Sequence, residues 1–586
     1  MDQMKKRRLA SEERPWMKFY PPQMVEGMEV PHCTLRAYLE QNMPGRAVPA
    51  VHYYGNDISW DELLKKADRV AKALHALGIG EGDRIPVFLQ SVPEFLYLLL
   101  AAEQVGAALV CRDNTLRENV EAVEKSGASV IFAHDFLTMR EMKAYLASGQ
   151  VKHVVLVDPC ASCDYDTLRP NIRTTLDEHY TAHSAEGPAV LGWNDFLALG
   201  EAVEQLPAVP QDENRPLFCA YTSGSTGPSK QVVHSAYSMI GVVYQMNFYG
   251  ASDQFRPTWL ITVLPPCLVA VVVSMMLMPL ASNKLLILDP FCRPEDVDLE
   301  LMHYRPNCWP LIPMFVDVLV HSARIPEDYD LSHLLAAGAG AEAMNNTQLQ
   351  TAQQFLQKHG CKATLTTGYG CSEAGSNITM PMSPYPIRNG NVGIPMPLTV
   401  LGVFKPGTQE ELDYGFVGEL CRTGPGNMLG YDTPEATAEV LQRHADGQVW
   451  LHLGDLGYIT EDGVVYTLTR GHSPRFGGGE LALLPMENLV ADANVKGILD
   501  EFFVIIPDKE HPGCFVPYLY VVLEHGFSVA DVEPAIRAAL DDFMQPEEIF
   551  ALPERPFFHF KTNRIGLASQ LLEKQASAGR KRAVNE

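Results

Sequence analysis

The segment YTSGSTGPSK, residues 221–230, decides how this sequence is read, because five serine and threonine hydroxyls and two glycines follow an apolar run that resembles the end of a buried strand. Glycine lets the backbone turn and bring amide N–H groups close to an anion, and a nearby lysine supplies positive charge. The segment therefore predicts a phosphate-holding loop. Its side-chain donors are Thr222, Ser223, Ser225, Thr226 and the cation Lys230.

Two other interpretations of this loop depend on its spacing and its composition. A Walker A loop requires G-x-x-x-x-G-K-[ST], whereas here Lys230 stands three residues beyond Gly227, so the P-loop NTPase class is excluded. Clusters of serine, threonine, glycine and proline are also common in flexible surface loops. The loop alone leaves the phosphate site and the plain surface loop about equally open.

The composition is that of a large globular protein. The 586 residues are 46% hydrophobic and 20% charged, which predicts several domains, one of them small. A formal net charge of −25 argues against a nucleic-acid partner, since short basic runs occur only at 5–8 and 580–582. No apolar segment follows the charged N-terminus, so we expect no secretory signal. Twelve scattered cysteines then favour reduced thiols in a cytoplasmic protein.

Two local features are interpreted as structural. The apolar run 267–281 contains Ser274 and Pro279 and is too short to span a bilayer, so it predicts a core helix with a buried strand after it. Cys160 and Cys163 form a C-x-x-C pair that has neither a second pair nor flanking histidines. This pair is therefore expected to lie in an ordinary loop and not in a zinc site.

The order of apolar segments indicates the fold class. From residue 60 helices and strands alternate, which predicts parallel sheets covered on both faces, with 158–197 as an irregular excursion. A second α/β run covers 254–380, and 392–470 is rich in glycine and short strands. We therefore expect an α/β protein with an N-terminal domain, 1–470, made of two layered α/β subdomains and a β-barrel-like part. A small mobile α+β domain, 471–586, is expected to follow it.

Four motifs that lie far apart in the chain occur together in one known superfamily. They are YTSGSTGPSK at 221–230, AGAG at 337–340, GYGCSEAG at 368–375 and HLGDLGYITEDG at 452–463. In these motifs, and in their order, the chain resembles the adenylate-forming superfamily of acyl-CoA synthetases, peptide-synthetase adenylation domains and luciferases. The opening residues and the 60–133 region are most similar to the fatty acyl-CoA ligase branch.

The resemblance implies a nucleotide site. The loop Thr222, Ser223, Gly224, Ser225, Thr226, Gly227 and Lys230 would surround the β- and γ-phosphates of ATP. The adenine and ribose side would be formed by Gly338, Ala339, Gly340, Tyr369, Gly370, Asp455 and Arg470, with Tyr369 stacked on the base and Asp455 on the ribose hydroxyls. Ser372 would lie near the α-phosphate, and Glu373 would hold Mg²⁺, which suits a hard cation that prefers carboxylate oxygens.

The sequence departs from the superfamily at three places. His472 stands at the expected hinge, where relatives usually have an acidic residue. The catalytic lysine near the C-terminus is matched to Arg564, with Lys561 as the competing candidate; arginine keeps the charge but presents a planar fork. The acyl pocket is expected at Leu268 and Ala270, where relatives often have an aromatic–histidine pair.

The resemblance implies an AMP-forming acyl-CoA ligase that uses ATP, Mg²⁺ and CoA and acts on an apolar, fatty-type carboxylic acid. One alternative is an acyl-AMP ligase that passes its product to a carrier protein or another nucleophile. The other is a nucleotide-binding relative with impaired catalysis, which the altered hinge and lysine motif favour. The sequence leaves the identity of the acid open, and it is compatible with a homo-oligomer.

Overall fold

The computed structural model describes residues 7–25, 27–112, 115–180, 187, 189–222, 229–247, 255–382, 384–558 and 560–585. The helices in this part of the chain are α1 (Ala10–Glu13), α2 (Leu35–Asn42), α3 (Trp60–Ala76), α4 (Pro93–Val105), α5 (Leu116–Ser126), α6 (Met139–Leu146), α7 (Pro170–Tyr180), α8 (Trp193–Leu199), α9 (Ala236–Met246), α10 (Met278–Ala281), α11 (Val297–Tyr304), α12 (Pro313–His321), α13 (Asn346–Lys358), α14 (Pro434–Val440), α15 (Leu483–Asp492), α16 (Val529–Ala539) and α17 (Arg564–Asn585).

The strands are β1 (Pro49–Tyr53), β2 (Asn56–Ser59), β3 (Arg84–Phe88), β4 (Ala108–Cys111), β5 (Val130–His134), β6 (His153–Val157), β7 (Val190–Gly192), β8 (Pro216–Tyr221), β9 (Gln231–Ser235), β10 (Thr258–Thr262), β11 (Leu285–Asp289), β12 (Cys308–Leu311), β13 (Ala336–Ala339), β14 (Leu365–Thr367), β15 (Gly370–Cys371), β16 (Ser376–Asn377), β17 (Thr379–Met380), β18 (Ile394–Pro395), β19 (Val400–Phe404), β20 (Gly418–Thr423), β21 (Gly430–Tyr431), β22 (Leu441–Arg443), β23 (Val449–Ile459), β24 (Val465–Arg470), β25 (Ile498–Pro507), β26 (Phe515–Leu523), β27 (Ile549–Leu552), β28 (Phe557–Phe558) and β29 (Lys561–Thr562).

Two large sheets form the body of the protein. The first has the order β21-β9-β8-β4-β3-β5-β6-β7 and is parallel from β8 to β7, with β9 and β21 antiparallel at one edge. The second has the order β14-β13-β12-β10-β11-β1-β2 and is parallel except for the edge strand β2. Buried side chains of both sheets join one hydrophobic core. Helices cover this parallel architecture, as the alternation of apolar segments predicted.

Local sequence signals fix the ends of the helices that cover the first sheet. The helix α3 begins after Ser59, which forms a capping box with Glu62, and its apolar residues recur at helical spacing on the buried face. The helix α4 is apolar on nearly all sides, and it begins at Pro93 and ends at Gly106, whose φ of +78° suits glycine. A helix that is apolar all round must be buried, and α4 packs directly on α3 and β4.

Two smaller units follow the parallel sheets. An antiparallel sheet is formed by β19, β20, β22, β23 and β24. The strand β21, which lies between β20 and β22 in the chain, pairs instead with β9 and extends the first large sheet. Beyond Arg470, the three-stranded sheet β25-β26-β27 and its helices enclose separate small cores. The predicted α/β class, with large N-terminal sheets and a small C-terminal α+β part, is confirmed.

The structure corrects the secondary structure predicted from the sequence in two segments. Residues 158–197 are not irregular throughout, because they contain α7, the edge strand β7 and the start of α8. The apolar run expected as a single helix is π-helical at Val271–Leu277 and continues as α10. A π-helical turn is rare and occurs frequently at functional sites. Within the described residues, no helix is long and apolar enough to cross a membrane.

Candidate active site

Glu373 lies in a short 3₁₀ turn, Ser372–Ala374, directly after β15. Its side chain is buried, and Oε1 accepts a hydrogen bond of 2.7 Å from the Tyr431 hydroxyl. The Lys230 ammonium lies 4.9 Å from the centre of the same tyrosine ring and 3.6 Å from Glu439. Tyr431 thus holds the buried carboxylate through its hydroxyl while its ring faces the lysine.

Protonation of Tyr431 keeps this contact in place. Burial, reinforced by the neighbouring Glu373 charge, raises the pKa of the Tyr431 hydroxyl far above its ordinary value. The hydroxyl therefore remains a donor across the physiological pH range. Tyr431 is carried by β21, which pairs with β9 just beyond Lys230, so backbone hydrogen bonds bring the lysine and the tyrosine together.

The ends of the predicted phosphate loop are closed by hydrogen bonds. The Thr222 N–H donates to the Lys230 carbonyl at 2.9 Å, and the Lys230 N–H donates to Thr222 Oγ1 at 3.0 Å. The Ser229 hydroxyl donates to the Thr222 carbonyl at 2.6 Å. These bonds form a stem that holds Thr222 against Ser229 and Lys230. The predicted loop residues Ser223, Gly224, Ser225, Thr226 and Gly227 lie outside the described residues.

Asp455 and Arg470 lie opposite each other on neighbouring strands, β23 and β24, with 3.9 Å between Arg470 Nε and Asp455 Oδ1. The Tyr369 hydroxyl donates to Asp455 Oδ2 at 2.6 Å. Burial raises the pKa of Asp455, although Arg470 and Tyr369 oppose the rise. Burial lowers the pKa of Arg470, but the charges of Asp455 and Glu373 outweigh this and its net pKa is raised. The four side chains therefore form one electrostatic group.

The residues expected beside adenine lie at the carboxyl end of a parallel strand. Gly338 and Ala339 belong to β13, and the Gly340 N–H donates to the Leu311 carbonyl at 3.1 Å. Ligands of open α/β sheets commonly bind at this edge. Gly370 is required for packing, because a Cβ there would lie 1.9 Å from the Ser376 carbonyl oxygen.

Ala341 connects this edge to the small C-terminal unit. Its φ of +71° is in the left-handed region, which costs a non-glycine residue about 1–2 kcal/mol. The next residue, Glu342, accepts hydrogen bonds of 2.9 Å from both the N–H and the hydroxyl of Thr562. Glu342 also forms an ion pair with Arg564. The turn after β13 is thus one of the points at which the C-terminal unit is attached.

The two candidates for the catalytic cation occupy different surroundings. Arg564 donates to Glu487 at 2.8 Å and to the Phe503 carbonyl at 3.1 Å, in addition to its pair with Glu342. Lys561 lies on β29, where burial and then the Arg470 charge lower its pKa, while the charges of Glu342, Asp455 and Glu373 oppose that change. Its ammonium is therefore within electrostatic reach of the Asp455 and Glu373 carboxylates.

Ser372 is positioned by a buried histidine. His234 Nε2 lies 2.7 Å from the Ser372 carbonyl oxygen, so this nitrogen must carry the proton, and Nδ1 lies 3.1 Å from Ser238 Oγ. Burial lowers the pKa of His234 to about 4, so the ring is neutral at physiological pH. This neutral donor fixes the 3₁₀ turn that carries Glu373.

The π-helical segment meets the site through a polar contact. Ser274 Oγ donates to Ser376 Oγ at 2.6 Å, and Ser376 begins the strand that follows the Glu373 turn. Leu268 and Ala270, the expected acyl-pocket residues, are partly buried and stand immediately before this helix. The segment therefore contacts the strand that follows the Glu373 turn.

The expected hinge lies between the Asp455 strand pair and the C-terminal unit. The Gly471 N–H donates to the Gly454 carbonyl at 2.9 Å, and its φ is +72°. His472 is half exposed, with Nδ1 3.6 Å from Glu480 Oε2, and the same carboxylate accepts from the Ser473 N–H. The histidine thus faces an acidic partner supplied by the following segment.

Sequence reasoning gave no role to Tyr431, Glu342 or His234. The pair Gly430-Tyr431 lies outside the four motifs, and Glu342 lies two residues beyond the AGAG motif. The roles of these residues depend on contacts with Glu373, Thr562 and the Ser372 carbonyl, which are distant in the chain. Spacing within a motif carries no signal for such contacts.

Comparison with known proteins gives concordant matches. A profile of the family described as AMP-binding enzyme matches residues 40–432. The chain is 25% identical over 500 residues to 4-coumarate–CoA ligase of Vanilla planifolia, covering 81% of this chain and 82% of that protein. The crystal structure of ATP-bound MatB from Rhodopseudomonas palustris has a TM-score of 0.74 at 21% identity, covering 92% and 98% of the two chains. O-succinylbenzoate coenzyme A synthetase from Bacillus subtilis, in complex with ATP and magnesium ion, has a TM-score of 0.66 at 19% identity, covering 90% and 98%.

Proposed function

Because the chain belongs to the family of AMP-binding enzymes, we propose that it is an AMP-forming acid–thiol ligase that converts an apolar carboxylic acid to its CoA thioester. In the first step the carboxylate oxygen attacks the α-phosphorus of ATP, the bond to the bridging oxygen breaks, and pyrophosphate leaves. In the second step the CoA thiolate attacks the acyl carbon and AMP leaves. The observation that supports this proposal is the group of Asp455, Arg470, Tyr369 and Glu373, in which Arg470 Nε lies 3.9 Å from Asp455 Oδ1 and the Tyr369 hydroxyl donates to Asp455 Oδ2.

The first step brings two anions together, so the site has to supply positive charge. We assign Lys230 to the β- and γ-phosphates, because it closes the stem of the phosphate loop. Arg470, which pairs with Asp455, and Lys561 would supply further positive charge. Preorganised cations of this kind stabilise charge that develops in the transition state. Lys561, which lies among these groups, takes the role that the sequence motif had matched to Arg564.

The residues present suit a magnesium ion. Glu373 is a buried carboxylate that lies beside a protonated tyrosine, and a carboxylate has further capacity at Oε2 when Oε1 accepts one hydrogen bond. Mg²⁺ is commonly held by one or two carboxylates together with substrate phosphates, and when bound it would neutralise phosphate charge. Tyr431 and the His234-anchored turn would hold the Glu373 side chain in a fixed orientation for this purpose.

The nucleoside half of ATP would bind between Asp455 and the carboxyl end of β13. Asp455 would accept hydrogen bonds from the ribose hydroxyls, and Tyr369, already fixed by Asp455, would lie against the adenine. Gly338, Ala339 and Gly340 would border the base at the end of β13. The acid would approach along the π-helical segment, with Leu268 and Ala270 at its entrance.

The proposal is tested by measuring acid-dependent pyrophosphate release, with and without CoA. The panel contains fatty acids of several lengths, 4-coumarate and malonate, and the products are identified as acyl-AMP or acyl-CoA by mass spectrometry. Glu373→Gln should abolish pyrophosphate release, because the neutral amide binds Mg²⁺ weakly at the same volume, whereas the exposed Glu435→Gln serves as matched control.

The outcomes separate the alternatives. Pyrophosphate release with AMP and acyl-CoA as products supports the ligase. Release with an acyl-AMP that CoA does not consume supports transfer to another nucleophile. Full activity of Glu373→Gln would remove Glu373 from its metal role, and no release with any acid would leave a nucleotide-binding relative.

A further inference from the structure

A second group of metal-type ligands lies in the antiparallel sheet, apart from the Glu373 turn. Among the described residues, Glu419, Cys421 and His452 bring one ligand atom each within 4.8 Å of one another. Glu419 and Cys421 share one face of β20 because they are two residues apart, and Cys421 lies directly opposite His452 on β23. We call these three residues the β20–β23 cluster.

The distances within the cluster are close to those of a metal site. His452 Nδ1 lies 3.3 Å from Cys421 Sγ and 3.1 Å from Glu419 Oε2. With metal–sulfur and metal–nitrogen bonds of about 2.3 and 2.0–2.1 Å, a tetrahedral zinc site would separate these atoms by about 3.4–3.6 Å. Each distance therefore has to lengthen by only about 0.3 Å, which small rotations of the side chains can provide.

The surroundings orient the ligands. His444 Nε2 lies 3.0 Å from His452 Nε2, and the His444 ring stacks on Trp450 with 5.6 Å between ring centres. Glu419 Oε1 accepts from the Gly454 N–H at 3.2 Å. A histidine that binds metal through one nitrogen normally donates its other N–H to a fixed acceptor, which here is His444.

Burial adds to this preorganisation. Cys421, His452 and His444 are buried, while Glu419 is only partly covered, which leaves the cluster one side open to solvent. Three protein ligands with one open position, which water can fill, are a common zinc arrangement. A thiolate, an imidazole and a carboxylate also form a donor set that favours zinc or a similar borderline ion over Mg²⁺.

We propose that the β20–β23 cluster binds a zinc-type divalent ion through Cys421 Sγ, His452 Nδ1 and Glu419 Oε2, with His444 as a positioning residue. The ion would tie two neighbouring strands together and, through the Glu419 contact to Gly454, steady the segment that carries Asp455. In the alternative arrangement a proton on Nδ1 bonds to the Glu419 carboxylate. Metal binding distinguishes the two directly.

The full-length protein, freed of metal by chelation, is titrated with Co²⁺ under anaerobic conditions. We expect one equivalent to bind with a thiolate-to-cobalt charge-transfer band in the near ultraviolet. Cys421→Ser should lose this band, whereas Cys308→Ser, a buried cysteine on β12, should keep it. His444→Gln should weaken binding about 10- to 100-fold and retain the band, as expected for a residue that only orients a ligand.

X-ray absorption on the zinc-loaded wild-type chain is independent of any variant that fails to fold. One sulfur at about 2.3 Å together with nitrogen or oxygen at about 2.0–2.2 Å supports the proposal. A shell of nitrogen and oxygen alone overturns it. The proposal is likewise overturned by a cobalt band that survives Cys421→Ser or by zinc that is not retained at one equivalent after equilibrium dialysis. None of these readouts depends on ligase activity, so they test the cluster separately from the proposed function.

Discussion

Replacement of Arg564 by alanine is expected to damage the fold more than the chemistry. Arg564 lies between Glu342 and Glu487, whose side chains are 12% and 3% exposed. Burial alone raises the pKa of Glu342, but the Arg564 and Arg555 charges, together with donors on Thr562, outweigh it and hold that pKa below its usual value. Without the guanidinium, two buried carboxylates face each other without their shared cation.

The size of the effect follows from this geometry. Removal of one partner from a buried ion pair costs about 3–5 kcal/mol. At an m-value of about 1–3 kcal/mol per M, the urea midpoint of the transition that includes the C-terminal unit should fall by about 1 M or more. The double variant Glu342→Gln/Arg564→Met, which removes charge from both sides of the contact, should recover part of the loss.

Lys561→Gln provides the contrast. Lys561 interacts electrostatically with Asp455 and Glu373, so its loss should leave the urea midpoint nearly unchanged and slow adenylate formation by about 10²–10³-fold. Urea unfolding followed by fluorescence and acid-dependent pyrophosphate release measure the two effects separately. The reasoning is refuted if Arg564→Ala keeps the wild-type midpoint but loses adenylate formation, or if Lys561→Gln forms adenylate at the wild-type rate.

Three further outcomes are expected. Asp455→Ala should weaken ATP binding about 10- to 150-fold by calorimetric titration, since charge-assisted hydrogen bonds contribute about 1.5–3 kcal/mol; unchanged affinity would place the ribose elsewhere. Ala270→Phe should shift the acid preference towards shorter chains, because added bulk excludes methylenes, and an unaltered ranking across the acid panel would contradict this. Burial raises the pKa of Glu94 from 4.5 to about 7, so the folded state binds this proton more tightly than the unfolded state. The resulting stability is present below pH 4.5 and is lost as the pH rises to 7, by about 3 kcal/mol. Glu94→Gln should flatten unfolding free energies measured across this range, and an equally steep profile in the variant would show that another group is responsible.

The parallel sheets could be predicted because their strands are continuous apolar runs separated by helices of clear periodicity. The strands β1 and β2 could not be assigned to the second sheet, since β1 pairs with β11, more than 230 residues further along the chain. The helix α7 was missed because only Ile172 and Leu176 are buried on its core face, and two apolar residues give little periodic signal.

In the candidate site, too, some residues can be predicted from the sequence and others cannot. Short motifs carry Glu373, Asp455 and Arg470, so the sequence predicts them as candidates, and the structure brings them into one group. The contact of Tyr431 with Glu373 joins residues 58 positions apart, and the location of Lys561 depends on a hairpin held by Glu342. Such contacts are set by tertiary packing, so a motif cannot distinguish Lys561 from Arg564.

The pairing of β21 with β9 has a consequence for local opening. Backbone hydrogen bonds join the Gly430–Tyr431 strand to residues 232–233, so this strand forms one edge of the first large sheet. Local unfolding occurs in contiguous cooperative units. The amides of β9 and β21 are therefore expected to become accessible to solvent exchange together, and a fluctuation that releases Tyr431 from Glu373 should also loosen the strand that begins just after Lys230.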